Sequence, residues 1–128
     1  MLVIDASVAV EACLGRFSLD RLRTLIAPHL LWSEARSAIH ELSWRGAVTR
    51  WEARAAHAVL ESLPVEPREH AELGRESWRI ADRLGWAKTH DAEYVALASL
   101  LNCRLLTVDR RLRRGADRLG FVIGPLEL

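Results

Sequence analysis

Residues 89–112, THDAEYVALASLLNCRLLTVDRRL, decide the fold of this 128-residue chain. A helix that opens at Asp91 climbs roughly 15 Å before the chain reaches Asn102, where a left-handed helix stop is expected. Residues 104–109 then return as a strand over roughly 16 Å. Because the strand runs back over about the same distance that the helix covers, Asp109 is expected at the level of Asp91, on one edge of a sheet.

Outward from this stretch, short apolar strands alternate with helical patterns along the chain. Strands are predicted at LVI (2–4), LIAP (25–28), LPVEP (63–67), RLLTV (104–108) and FVIG (121–124). Helices are predicted after the first strand, over 18–25, over 33–46, from the TRWE capping box (49–52) to about Ser62, over 69–84, over 91–102 and from Asp109. This alternation indicates a single α/β domain over 1–128, with a mostly parallel sheet of about five strands covered on both sides.

Composition narrows the function classes. The chain is 50% hydrophobic and 27% charged, with a net charge of +1, which favours neither a polybasic nor an acidic binding protein. Cys13 and Cys103 lie in apolar sequence without zinc or disulfide spacing, so buried free thiols are expected. The amino terminus carries no basic leader and no apolar run could span a bilayer, so we expect a cytoplasmic protein without a membrane segment.

Four carboxylates are expected at one edge of the sheet. Asp5 follows the first strand, Glu34 begins the helix after the second, and Asp91 and Asp109 lie level with each other. In an open α/β sheet this edge is where ligands bind. Helix capping explains any one of these acids alone, but four together repel one another. A hard divalent cation, Mg²⁺ or Mn²⁺, offsets that repulsion, so all four are expected to project into a metal-binding crevice.

Such a centre predicts a reaction class. A metal ion held by carboxylates activates water and stabilises an in-line phosphoryl displacement, so hydrolysis of a phosphodiester or phosphomonoester is expected. Zinc is disfavoured because no histidine stands at ligand spacing with a cysteine or another histidine. Aspartyl-phosphate chemistry is disfavoured because a dehalogenase-type phosphatase needs an acid at Ser7, and the aspartate and lysine pattern of receiver domains is missing from the sequence.

Four stretches together resemble the PIN domain, and specifically the short bacterial VapC-type toxins of type II toxin–antitoxin modules. They are VIDASVAVE (3–11), LLWSEARSAIHELSWRG (30–46), HDAEYVALASLL (90–101) and LLTVDRRLR (105–113), in the order and spacing of the family. The resemblance implies an α/β/α sandwich and a Mg²⁺- or Mn²⁺-dependent endoribonuclease that leaves a 5′-phosphate and a 3′-hydroxyl. It also implies a homodimer that a small cognate antitoxin inhibits.

The resemblance also implies roles for individual residues. The family's catalytic and metal-binding quartet falls on Asp5, Glu34, Asp91 and Asp109. Its small hydroxyl residues fall on Ser7, which we expect to cap the first helix rather than contact a metal-bound water, and on Thr107, which points either into the core or towards the site. His90 departs from the family, since an aromatic residue such as tyrosine is expected there.

Cationic and aromatic residues lie near the same edge. An arginine run either forms a solvated helix face or contacts RNA phosphates; it comprises Arg110, Arg111, Arg113 and Arg114. Trp44 lies away from the apolar stripe of its helix, which favours a partner surface. Trp32 and Trp86 flank segments that lead to the site, and we expect packing there rather than stacking on an unpaired base.

The predicted function is therefore that of a VapC-like ribonuclease toxin whose metal-bound water attacks RNA. One alternative is a non-cleaving, RNA-binding PIN module that autoregulates with its antitoxin, and another is a metal-dependent nuclease acting on DNA. A phosphatase for small molecules is a third, although nothing in the sequence resembles a nucleotide pocket. Cleavage assays with Mg²⁺ and competing substrates distinguish them.

Overall fold

A five-stranded parallel sheet forms the centre of the protein, in a computed structural model that describes residues 1–19 and 24–128. The strand order is β3-β2-β1-β4-β5, and each of the four pairings is parallel. The strands are β1 Leu2–Ile4, β2 Leu25–Ala27, β3 Glu66–Pro67, β4 Arg104–Leu106 and β5 Val122–Ile123. The predicted α/β class and the parallel sheet are confirmed.

Helices surround this sheet in two groups. They are α1 Ala6–Cys13, α2 Leu30–Trp44, α3 Arg50–Glu61, α4 Leu73–Leu84, α5 His90–Leu100 and α6 Arg110–Ala116. The first three pack on one another, whereas α5 packs on α4, β1 and β4. Five consecutive residues of α5, 94–98, are buried, as expected of a helix that is apolar on all sides. The architecture is a three-layer α/β/α sandwich.

Several local predictions are confirmed. Asn102 adopts the left-handed conformation, with a φ of 53°, and so turns the chain from α5 into β4. Thr49 and Glu52 form both hydrogen bonds of a capping box at the start of α3. Gly85 closes α4 in the left-handed conformation that glycine adopts without strain. These signals lie within a few residues of the feature that they predict, so no distant contact overrides them.

Some predicted boundaries were wrong. The helix expected over 33–46 begins at Leu30, directly after β2, so Glu34 lies in its second turn rather than at its start. The helix expected over 69–84 begins at Leu73, because His70 Nδ1 accepts a hydrogen bond from the Glu72 N–H (3.0 Å) and forms a local turn instead. The third strand is only Glu66–Pro67, at the sheet edge where proline is tolerated.

The helix predicted over 18–25 falls partly on residues 20–23, which lie outside the described residues. Its described ends are not helical: Ser18 and Leu19 are irregular and Leu25 belongs to β2. Cys13 is buried and Cys103 is half-buried, so the expectation of a buried thiol holds only for Cys13. Within the described ranges, no helix has both the length and the apolar character needed to cross a membrane.

The strand order creates a position where a ligand site is expected. From β1 the chain winds outward through β2 to β3, while β4 lies on the other side of β1 and leads to β5. Ligands of open α/β sheets bind beyond the carboxyl ends of the strands at such a reversal. Ile4 pairs with Leu106 across β1 and β4, so the residues that follow them, Asp5 and Thr107, lie side by side at this point.

Candidate active site

Asp5 directly follows β1 and is 3% exposed. It is the N-cap of α1, and its Oδ1 accepts hydrogen bonds from the Val8 N–H (3.1 Å) and the Ser7 hydroxyl (2.6 Å). Its Oδ2 accepts a hydrogen bond from the Thr107 hydroxyl. Both carboxylate oxygens are therefore held in place by the protein.

Burial dominates the electrostatics of Asp5. Loss of hydration, with a smaller contribution from the nearby negative charge of Asp109, raises the pKa of this carboxyl to about 6. The hydrogen bonds from Ser7, Thr107 and Val8 act in the opposite direction but do not cancel the effect of burial. Folding thus destabilises the ionised form of Asp5 relative to its neutral form.

Ser7 does not cap α1, so that prediction is wrong. Because α1 begins at Ala6, Asp5 holds the N-cap position and accepts the hydrogen bond from the Val8 N–H, whereas Ser7 lies inside the first turn. The Ser7 hydroxyl instead links two strand ends: it donates to Asp5 and accepts a hydrogen bond from the Val108 N–H (3.1 Å). Its function is to hold the chain after β4 against the start of α1.

Thr107 fulfils both of the alternatives left open by the sequence. It is 2% exposed, and so belongs to the core. Its hydroxyl nevertheless donates to Asp5 and accepts a hydrogen bond from the Asp109 N–H (3.0 Å). The side chain therefore connects the Asp5 carboxylate to the backbone of Asp109.

Asp109 is the N-cap of α6. Its Oδ1 accepts hydrogen bonds from the Arg111 N–H (2.8 Å) and the Leu112 N–H (3.3 Å). This arrangement fixes the carboxylate at the start of α6 and leaves its second oxygen, Oδ2, free of hydrogen bonds to the described residues.

The other two acids lie on helices. Glu34 projects from the second turn of α2, where its Oε1 accepts a hydrogen bond from the Tyr94 hydroxyl (2.6 Å) and its Oε2 lies 4.0 Å from His90 Nδ1. Asp91 lies in the first turn of α5, and no described residue forms a hydrogen bond with its side chain. Partial desolvation of the carboxyl, followed by the charges of Glu34 and Asp109, raises the pKa of Asp91, while Arg111 and His90 oppose that rise.

A cleft of about 640 Å³ brings three of the four acids together. Glu34, Asp91 and Asp109 line it, and its other walls include Trp86, Lys88, His90 and Arg111. Asp5 does not line this cleft, because Ser7 and Thr107 enclose its carboxylate at the strand ends. The prediction that all four acids project into one crevice is therefore wrong for Asp5.

The donor set suits a hard divalent cation in kind, since carboxylate oxygens are the ligands preferred by Mg²⁺. In the described part of the chain, however, no group of three or more His, Cys, Asp or Glu side chains is placed so that it could hold a metal ion. Joint ligation by Glu34, Asp91 and Asp109 thus requires their carboxylates to come closer together, and Asp91, whose side chain forms no hydrogen bond with the described residues, is the freest to move. Their mutual repulsion opposes this movement, and the charge of a cation would offset it.

The arginine run divides into two groups. Arg111 is exposed and lines the cleft beside the acids, and Arg110 and Arg114 are exposed on the same helix. Arg113 instead forms an ion pair with Glu127, and its Nε lies 3.5 Å from Asp117 Oδ1. Of these four cations, Arg111 is the one that the structure places beside the predicted catalytic carboxylates.

Tyr94 and Lys88 contribute to the site but were not identified from the sequence. A signal for Tyr94 was available, because it carries the one hydroxyl in the mostly apolar stretch 92–98, and a buried hydroxyl requires a hydrogen-bond partner. No local pattern indicates that Lys88 reaches the cleft.

The tryptophans lie in different environments. Trp44 is 83% exposed at the end of α2, where it borders a groove of about 740 Å³ between α2 and α3, as its position off the apolar stripe predicts. Trp32 and Trp86 pack against the core, as expected. Trp86 also lies so close to α6 that a Cβ at Gly115 would come within 2.9 Å of its Nε1, which explains the glycine.

Comparisons with known proteins agree with this fold. Residues 2–118 match the family model of the PIN domain. VapC ribonuclease Mb0985 of Mycobacterium bovis and Ribonuclease VapC9 of Mycobacterium tuberculosis are each 36% identical over 118 residues, 88% of either chain. Ribonuclease VapC1 of M. tuberculosis is 34% identical over 122 residues, 86% of either chain. The structure of PAE2754 from Pyrobaculum aerophilum, 24% identical, aligns with a TM-score of 0.74 over 98% of this chain and 90% of that one.

Proposed function

Because this chain belongs to the PIN-domain family and is of the VapC type, we propose that it is an endoribonuclease toxin that hydrolyses RNA phosphodiester bonds with Mg²⁺ or Mn²⁺. The observation that carries the proposal is the cleft near the β1–β4 reversal, which is lined by Glu34, Asp91 and Asp109. The similar VapC proteins are ribonucleases by name, and the donor set fits the cation in kind.

In this proposal the four acids have two different roles. Glu34, Asp91 and Asp109 would hold the cation, and Asp5 would contribute negative charge from beneath the cleft. When bound, a divalent cation supplies a nucleophile by lowering the pKa of water and neutralises charge on the phosphoryl group. Arg111, at the rim of the cleft, would donate hydrogen bonds to a phosphate oxygen and so bring a polyanion towards a site lined by carboxylates.

A cleavage assay on the purified protein tests this function. RNA, single-stranded DNA and a small phosphomonoester are each incubated with Mg²⁺, with Mn²⁺ and with EDTA, and the new RNA ends are identified chemically. We expect metal-dependent cleavage of RNA that leaves a 5′-phosphate and a 3′-hydroxyl. RNA binding without cleavage, or preferential cleavage of DNA or of the monoester, contradicts the proposal in favour of another nuclease-fold function.

We also propose that the protein forms a homodimer and binds a small cognate antitoxin in the cytoplasm, where it meets its RNA. Exposed Trp44 supports a partner surface, because tryptophan is enriched in interfaces. Trp44→Ala should weaken association in analytical ultracentrifugation or antitoxin titration while monomer stability stays unchanged. Trp78→Ala, which removes a 68% exposed tryptophan from α4, is the matched control. Loss of monomer stability with association unchanged contradicts this assignment.

A further inference from the structure

One hydrogen bond joins the two helical walls of the acidic cleft. Tyr94, on α5, donates its hydroxyl proton to Glu34 Oε1, on α2, at 2.6 Å. We propose that Tyr94 is a positioning residue that holds the Glu34 carboxylate in the orientation needed to bind the divalent cation. This inference rests on the proposed function, since it assigns a role to Tyr94 within the same site.

Tyr94 is well placed to act as a fixed anchor. Its side chain is 1% exposed and lies in the fully packed part of α5, which itself packs on β1 and β4. A buried hydroxyl must find a hydrogen-bond partner, and Glu34 is the one that the described residues provide. Hydrogen bonds to an ionised acceptor are shorter and stronger than neutral ones, so this contact restrains the carboxylate strongly.

Glu34 depends on such an anchor more than Asp5 and Asp109 do. Asp5 and Asp109 are N-caps whose oxygens accept backbone N–H groups, whereas Glu34 caps no helix and has a longer, more mobile side chain. Its other polar neighbour, His90, lies 4.0 Å from Oε2 and is too distant for a hydrogen bond. Without Tyr94, the described residues leave the Glu34 carboxylate with no hydrogen bond.

The geometry also leaves Glu34 free to bind a ligand. Tyr94 engages Oε1, while Oε2 keeps both lone pairs free of hydrogen bonds to the described residues. Partners that orient a metal ligand in this way typically change metal affinity by about 10–100-fold when they are removed. Because Tyr94 restrains Glu34 from an adjacent helix, it should act on the cation only through that carboxylate.

The test is Tyr94→Phe, which keeps the aromatic packing and removes only the donor. Mn²⁺ binding is followed by electron paramagnetic resonance titration of the full chain, without RNA. We expect the dissociation constant for Mn²⁺ to rise by about 10-fold or more. Ser77→Ala is the matched control, because Ser77 is also buried on a helix and its hydroxyl donates to the Leu73 carbonyl (2.6 Å), away from the acids. It should leave Mn²⁺ affinity unchanged.

A double-mutant cycle separates positioning from a general structural role. In a Glu34→Ala background, Tyr94→Phe should cause no further loss of Mn²⁺ affinity, because the group that it orients is gone. An equal loss in both backgrounds, or unchanged affinity in the single variant, overturns the inference. If Tyr94→Phe does not fold, Tyr94→Met places a flexible apolar side chain in the same space and gives the same test. A wild-type protein that binds no Mn²⁺ contradicts the metal requirement of the proposed function instead.

Discussion

The site consists of two halves that hold their carboxylates in opposite ways. In the strand half, at the ends of β1 and β4, Asp5 is buried and both its oxygens accept hydrogen bonds from neighbouring residues. In the helix half, in the first turn of α5 and the second turn of α2, Asp91 is exposed and accepts no hydrogen bond from the described residues, and Glu34 has only Tyr94.

This difference suggests that the strand half supports the structure of the site, whereas the helix half provides ligands to the cation. A carboxylate whose lone pairs are engaged by hydroxyl and amide groups is already oriented, and its charge can act at short range without moving. A carboxylate without such partners can turn towards an incoming cation. We therefore expect the helix half to respond to metal and the strand half to govern stability.

The largest effect is expected for Asp91→Asn. The substitution removes a mobile carboxylate but keeps the size of the side chain, so RNA cleavage should fall by about 1,000-fold or more as the metal contribution is lost. The metal-free protein should be as stable as the wild type or more stable, because one of several crowded negative charges is removed. Cleavage and metal-free melting are measured on one preparation. Retained cleavage contradicts a catalytic role for Asp91.

Asp5→Asn tests the strand half through its pH dependence. The pKa of Asp5 is raised from 3.8 to about 6 in the folded protein, so the unfolded chain releases this proton at lower pH. The folded state is therefore disfavoured as the pH rises from about 4 to about 6, by on the order of 3 kcal/mol. Urea unfolding in EDTA should show this loss in the wild type and not in Asp5→Asn. Parallel profiles for the two proteins contradict the assignment.

The position of Asp91 was easier to predict from the sequence than the enclosure of Asp5. The matching rise of the helix and return of the strand placed Asp91 level with Asp109, and both line the cleft. The enclosure of Asp5 could not be predicted, because it depends on Thr107, which is 102 positions away. The same holds for Ser7, whose acceptor role towards Val108 arises only when β1 and β4 pair. Long-range pairing, rather than local propensity, decided these contacts.

Metal binding provides a third test of the difference between the helix half and the strand half. At about 100 times its dissociation constant, Mg²⁺ or Mn²⁺ should stabilise the wild type by about 2.7 kcal/mol, because the unfolded chain has no preformed site. The melting temperature should therefore be higher than in EDTA. Added protection from hydrogen exchange should concentrate at the starts of α2 and α5 rather than in β1 and β4. Identical melting curves contradict a metal site, and protection centred on β1 contradicts the division into halves.

Ser7→Ala is expected to have the smallest effect. It removes a donor to Asp5 and leaves the Val108 N–H without its acceptor, so the free energy of unfolding should fall by about 1 kcal/mol. Because the Ser7 hydrogen bond lowers the pKa of Asp5, its removal should raise that pKa further. The loss of stability with rising pH should then continue to a higher pH than in the wild type.

The shape of that pH profile distinguishes the two explanations for Ser7. A hydroxyl that only supports the backbone would lower stability by the same amount at every pH, and the profile would move down without changing its midpoint. A hydroxyl that stabilises the ionised form of Asp5 must shift the midpoint as well, since its contribution exists only when Asp5 carries its charge. Ser37→Ala, which removes an exposed hydroxyl from α2, should change neither quantity. A midpoint that shifts in Ser7→Ala but not in Ser37→Ala therefore establishes that the Ser7 hydroxyl stabilises the ionised form of Asp5. An unshifted midpoint limits the role of Ser7 to joining the ends of β1 and β4.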